Sequence, residues 1–158
     1  MQLLEKFESA KGPSAIGPYS PAVRLGDFVF ISGQLGMDVN GVLAGDDVES
    51  QTHMALKNIG YLLAEIGLNY EHVVKTTVFV TDLNDFGKVN EIYGEYFHDV
   101  YPARSCVEVS KLPKNAKVEI ECIVFDTLLY EQQIEQQAAN SCDCGDPNCG
   151  GDCGCGCC

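Results

Sequence analysis

The hydrophobic period of this chain changes along its length, and the order of the changes restricts the folds open to it. Residues Val23–Ser32 (VRLGDFVFIS) read as a strand pair or bent strand around a turn or bulge at Gly26-Asp27, and Asn40-Gly41 within Asp38–Gly41 is a hairpin signal. From about Val48 the period lengthens. Thr52, Ala55, Ile59, Leu62, Leu63 and Ile66 recur at helical spacing, Asp46 or Asp47 can cap the start, and Gly67 suits the position just past the end. His72–Leu83 returns to period two, predicting Val74, Thr76, Val78 and Val80 on one face and Lys75, Thr77, Phe79 and Thr81 on the other. Asn84 or Asp85 then caps a second helix with an apolar stripe of Phe86, Val89, Tyr93, Tyr96 and Phe97, followed by Pro102. Two further β runs, Arg104–Val109 and Lys117–Asp126, flank Leu112-Pro113-Lys114-Asn115 and can form a hairpin. The order β-β-β-α-β-α-β-β predicts an α+β fold with both helices on one face of a mixed sheet. The opposite face then needs cover, and self-association is a natural way to supply it.

At 158 residues the chain fits one domain with an appendage. A body over residues 1–128 is large enough to fold without disulfides or metal. Residues 129–141, which contain the Gln-rich stretch YEQQIEQQAANS, fit a linker or a short helix, and residues 142–158 are a Cys/Gly-rich tail without hydrophobic periodicity. Seven of the nine cysteines lie in that tail, leaving Cys106 and Cys122 as reduced, unpaired thiols of the body. The formal charge of -13, from 23 acidic and 10 basic residues spread along the chain, disfavours nucleic acid and anionic membranes as partners. The opening MQLLEKFESAKG has no apolar stretch of signal-peptide length, and no run approaches the ~20 apolar residues of a membrane span, so a cytoplasmic location is expected.

Several residues carry candidate chemistry. Tyr19 in IGPYSP and Ser32-Gly33-Gln34 in FISGQ read by themselves as ordinary loop and strand-end residues, although glycine at Gly33 would let a ligand approach the backbone. Arg104, beside a proline-led strand entry in PARSCVEV, fits either a surface ion pair or a clamp for a small carboxylate, since its planar fork of donors matches that anion. In KVEIECIVFD, Glu119 and Glu121 share one strand face and Val118, Ile120, Cys122 and Val124 the other. Such a glutamate pair faces solvent unless the face lines a cleft, where one carboxylate can activate a water. Cys106 has no evident histidine partner for nucleophilic catalysis, because His53, His72 and His98 fall on helices or at a strand start. Its place beside Arg104 predicts a lowered pKa and redox sensitivity.

Taken together, AIGPYS, FISGQ, QTHMALKNI, VVKTTVFVTDLNDFGKVNEIY, PARSCVEV and LPKNAKVEIE resemble, in order, the motifs of the RidA (YjgF) family from roughly Ala15 to Val124. That resemblance implies a chorismate-mutase-like α+β subunit forming a homotrimer, with active sites in clefts between neighbouring subunits. It implies hydrolytic deamination of 2-aminoacrylate, 2-iminopropanoate and 2-iminobutanoate to 2-keto acids and ammonia. These reactive metabolites are released by pyridoxal-phosphate-dependent dehydratases, and the deaminase itself needs no cofactor. It makes Arg104 the carboxylate-binding group and Glu119 the water-positioning residue. Tyr19, Ser32, Gly33, Asn90 and Cys106 become substrate-binding members of the site, and Glu121 a peripheral glutamate. The competing functions are a non-catalytic ligand-binding or redox- or metal-responsive trimer presenting its tails, and the ribonuclease or chaperone-like roles described for related proteins.

The tail stands outside the resemblance. Cys142, Cys144, Cys149, Cys153, Cys155, Cys157 and Cys158 have mostly Cys-x-Cys and Cys-Cys spacing, closer to metallothionein usage than to a zinc-finger knuckle. Dense thiolates with glycine spacers suit Zn(II) or Cu(I), with a redox-active segment as the lesser alternative.

Overall fold

In a computed structural model, residues 4–141 are described. The chain divides into one compact unit ending at Asp126 and a second beginning at Thr127. The first unit contains β1 (Leu4–Phe7), β2 (Ala22–Leu25), β3 (Phe28–Leu35), α1 (Val48–Glu65), β4 (Val73–Val80), α2 (Phe86–Tyr96), β5 (Ala103–Glu108) and β6 (Val118–Phe125). They form a six-stranded mixed sheet in the order β1-β2-β3-β6-β4-β5, antiparallel except for the parallel β4–β5 pair. The expected α+β class is therefore present, and from β2 onward strands and helices follow the expected order, except that the Asn40-Gly41 hairpin is reduced to an isolated bridge between Met37 and Leu43. In the second unit, the Gln-rich stretch forms a helix, α3 (Leu128–Ser141).

Helix α1 forms where its period and caps coincide. The Asp47 side chain accepts from the Ser50 amide at 2.6 Å, satisfying one of the amides a helix start leaves without a partner. At the other end Gly67 takes a positive φ of 74°, while its amide donates to the Ala64 carbonyl and that of Leu68 to Leu63. Thr52, Ala55, Ile59, Leu62 and Leu63 from the expected stripe are buried, whereas Ile66 is only partly so. They pack with Val29, Ile31, Val78, Val80 and alternate residues of β6 into the core between sheet and helices. Gln51 is 1% exposed and joins three segments, donating to the Gly45 carbonyl at 2.7 Å and accepting from the Lys117 amide at 2.8 Å.

Two local expectations are corrected. Arg104–Val109 and Lys117–Asp126 do not pair as a hairpin: β5 lies on the sheet edge beside β4, and β6 is inserted between β3 and β4. The connection does hold a tight turn, in which Lys114 and Asn115 both take positive φ and the Ala116 amide donates to the Pro113 carbonyl, but it does not join paired strands. Val74 does not share the buried face with Thr76, Val78 and Val80. A register shift between Val73 and Lys75 turns it out, leaving it 46% exposed. Strand β1 was not foreseen, because its residues are mostly exposed and bear no alternating apolar pattern.

Gln51→Leu keeps bulk but leaves the Gly45 carbonyl and Lys117 amide without this partner, and should lower unfolding stability by about 1–3 kcal/mol. A lower urea midpoint with an unchanged denaturant slope is the expected reading; an unmoved midpoint contradicts it.

Candidate active site

Alternation along β6 fixes where the acidic groups point. Val118, Ile120, Cys122 and Val124 are buried on the helix-covered side, so Glu119 and Glu121 project from the other face. Opposite them, β3 is bulged: Ile31 pairs with Cys122 and Gln34 with Ile120, so Ser32 and Gly33 occupy an irregular stretch of the strand. The two residues thus lie within β3 rather than at a strand end. A Cβ at Gly33 would overlap the Glu119 carboxylate, so the glycine makes the space that Glu119 fills. The Ser32 hydroxyl donates to the Ser20 carbonyl at 2.7 Å, tying the bulge to the loop that carries Tyr19.

These residues line a cleft of about 390 Å³ in which Tyr19, Ser32, Gly33, Glu119 and Glu121 meet an apolar wall that includes Ile16, Leu35 and Met37. Partial burial holds the Glu119 pKa above the usual glutamate value, and the neighbouring Glu121 charge adds to the shift.

Arg104 belongs to a different hollow. It sits in β5 opposite Thr76 of β4, which in turn pairs with Cys122, so its side chain lies on the helix-covered side of the sheet. Its Nη2 donates to Asn90 Oδ1 at 2.6 Å, and its guanidinium carbon lies 4.6 Å from the ring centre of Tyr93 and 5.5 Å from that of Phe86. Arg104, Asn90 and Tyr93 line a second, open cleft with Gly94, Tyr101 and Pro102. The groups holding the guanidinium are neutral, an amide oxygen and two ring faces. Arg24, by contrast, is paired with Asp126. A charged fork held in this way retains donors for an incoming carboxylate.

The candidate residues thus separate into two sets on opposite faces of one sheet. Tyr19, Ser32, Gly33 and Glu119 come together, and Arg104 meets Asn90. Cys106 follows Arg104 on the same face of β5 and lines neither cleft. The lowered pKa expected for Cys106 is overturned: partial burial pushes its thiol up, and the nearby Arg104 charge only partly offsets that. Phe86 and Tyr93 were read from the sequence only as helix stripe; their spacing with Asn90 at i, i+4 and i+7 was the available signal that they share one helix face. The apolar wall had no such signal, because its residues come from separate loops and strands.

Among the described residues no group of three or more His, Cys, Asp or Glu side chains could hold a metal ion, and no helix is long and apolar enough to cross a membrane. Cys142, Cys144, Cys149, Cys153, Cys155, Cys157 and Cys158 lie outside the described residues.

The family model for endoribonuclease L-PSP matches residues 9–125. A RutC family protein of Pyrococcus abyssi is 46% identical over 122 residues, spanning 77% of this chain and 96% of that protein. The human protein named 2-iminobutanoate/2-iminopropanoate deaminase is 47% identical over 120 residues, spanning 75% of this chain and 88% of its own. Among solved structures, Escherichia coli TdcF with bound serine superposes with a TM-score of 0.73 at 42% identity, over 77% of this chain and 98% of that one.

Glu121→Gln removes a like charge beside Glu119 and should lower the Glu119 pKa, burial still keeping it above the ordinary glutamate value. A carbon-13 NMR titration of the Glu119 carboxyl should show its midpoint at lower pH than in the unsubstituted protein; an unmoved midpoint means that the Glu121 charge is not felt.

Proposed function

We propose, because the chain belongs to the endoribonuclease L-PSP family, which includes the RidA deaminases, that it hydrolyses 2-imino and enamine acids such as 2-aminoacrylate, 2-iminopropanoate and 2-iminobutanoate to 2-keto acids and ammonia. The observation that carries this reading is the Arg104 guanidinium, part-buried and held by neutral groups that leave donors for a substrate carboxylate. The deaminase name of the human relative supports the same reading.

A substrate must be gripped at its carboxylate and attacked by water, yet Arg104 and Glu119 lie on opposite faces of a single sheet. We therefore infer a homotrimer in which Arg104 and Asn90 of one subunit face Tyr19, Ser32, Gly33 and Glu119 of its neighbour. The face bearing Glu119 supports this, since Phe28 and Phe30 are 45% and 40% exposed there and Phe28 packs edge-on against Phe125. A ring closed by one repeated, non-self-complementary contact would give three equivalent sites.

The chemistry follows from the groups gathered in this way. An enamine first tautomerises to its imine, and the protonated imine is already electrophilic, so no cofactor is needed to activate it. Arg104 orients its carboxylate while Glu119 accepts a proton from the water whose oxygen adds to C2. The resulting carbinolamine takes that proton on nitrogen. As the C–N bond breaks, Glu119 removes the carbinol hydroxyl proton, so that the C=O bond of the keto acid forms, and the departing ammonia takes this second proton to leave as ammonium. Glu119 must start ionised, a form lost as pH falls through its raised pKa. Asn90 completes the Arg104 side, while Cys106, two residues further along the same strand face, lies beside that cleft and not in its lining. Such substrates imply a supply from pyridoxal-phosphate-dependent dehydratases. The free thiols Cys106 and Cys122 fit the reducing cytoplasm. A ribonuclease activity, which the family's name suggests, is disfavoured by the charge of -13.

The tail supports a second, separate reading: its seven thiols suit a cluster of Zn(II) or Cu(I). Burial raises the pKa of both Cys106 and Cys122, so the body thiols stay protonated near neutrality and compete poorly for metal.

Arg104→Ala should lower kcat/KM for freshly generated 2-aminoacrylate by about one to two orders of magnitude with the oligomer intact; unchanged turnover contradicts the assignment. Mixing unfolded Arg104→Ala and Glu119→Gln chains and refolding them together should restore activity that neither has alone, because some interfaces then join an intact Arg104 to an intact Glu119. No recovery in correctly assembled mixtures places both residues within one subunit. For the tail, the full-length protein should retain zinc that a full-length variant with all seven tail cysteines changed to serine does not. Equal metal content in both dismisses the cluster.

A further inference from the structure

We infer that α2 carries an aromatic clamp, made of Tyr93 and Phe86, that aims the Arg104 guanidinium at an incoming carboxylate, so that both rings are positioning residues of that subsite. The inference rests on the reading of Arg104 as the carboxylate-binding group and adds what holds it ready.

Phe86, Asn90 and Tyr93 follow one another at i, i+4 and i+7 on α2 and so share one helix face. All three meet the same guanidinium, two through ring faces at 5.5 and 4.6 Å and one through an amide oxygen. Tyr93 is itself fixed from the sheet. It is 3% exposed, and its hydroxyl shares a 2.7 Å hydrogen bond with Thr76 Oγ1. Thr76 is fully buried and is the register partner of Arg104 across the β4–β5 pair. The arginine and the ring that steadies it are therefore set by the same rung of the sheet.

The choice of rings has a physical consequence. The donors of a guanidinium lie in its plane, and its faces are weakly hydrated. A ring over a face offsets the cost of partly burying the charge without using an N–H group. An acidic partner would do the opposite, occupying the fork and neutralising it. Asn90 takes one in-plane donor and so fixes rotation about the end of the side chain, which the rings alone would leave free. Core packing accounts for a buried Tyr93 but not for Phe86, which stays 40% exposed while facing the guanidinium.

The exposure of Phe86 also makes it the informative position, because Phe86→Leu keeps apolar bulk and removes only the ring. Two measurements on the full-length protein test the clamp: pyruvate binding by calorimetry, and steady-state hydrolysis of 2-iminopropanoate generated in place. The expected result is a rise of about three- to thirtyfold in both the pyruvate Kd and the KM, with the loss falling on KM rather than kcat, and recovery in Phe86→Trp. Wild-type affinity for pyruvate in Phe86→Leu at an unchanged thermal midpoint overturns the clamp, as does a loss confined to kcat. Ring-dependent pyruvate binding in a protein that hydrolyses no imine keeps the clamp and removes the deaminase reading. Absence of pyruvate binding in the wild-type protein overturns the clamp and its premise together.

Discussion

A β-strand sends successive side chains to opposite faces, and in β6 this alternation governs the whole molecule. Val118, Ile120, Cys122 and Val124 go into the core beneath the helices, which fixes the register of a strand paired on both edges. The same register obliges Glu119 to leave on the far side. Arg104, one strand beyond β4, lies in the row of Thr76 and Cys122 and so stays on the helix side. The hydrophobic core thereby separates the two residues that the proposed mechanism brings together. A one-residue slip of β6 would bring Glu119 across, but only by turning four buried apolar side chains out into water. The proposed assembly resolves this conflict between neighbouring chains, where the core need not be disturbed.

Each half of the candidate site is prepared differently. On the Glu119 side the backbone does the work. The bulge at Ser32-Gly33 and the missing side chain of Gly33 create a space that the carboxylate occupies, partly desolvated and beside a second negative charge. Both influences favour the protonated acid, so this glutamate titrates nearer to neutrality than a solvated one does. On the Arg104 side one face of α2 does the work, through neutral contacts that steady a cation without satisfying it. An acid with a raised pKa and a cation without a fixed counter-charge are complementary requirements for a zwitterionic imine.

Much of this was legible from particular residues. Gly67 marked the far end of α1 and the Asp46-Asp47 pair its start, with Asp47 the residue that caps it, because caps are local chemistry. The apolar alternation of β6 foretold which of its residues are buried, since nothing interrupts its period. Legibility failed where the period is broken or absent. The register shift at Val74 inserts an extra residue that no propensity announces, and β1 buries too little to leave a pattern. The supposed hairpin of β5 and β6 failed for another reason: adjacency in sequence favours pairing, but β6 is paired on both edges, with β3 and β4, where every second side chain is buried.

By itself the sequence determined the α+β class, the alternation of strands and helices, and the residues to suspect, because periodicity, caps and charge are properties of short stretches of chain. Tertiary structure alone decided the strand order, and with it the separation of Arg104 from Glu119 by the thickness of the sheet. It also decided the direction of the Cys106 shift, where burial outweighs the neighbouring arginine charge. Such outcomes depend on which distant segments share a row or a cavity, and desolvation and pairing are set by neighbours in space rather than along the chain.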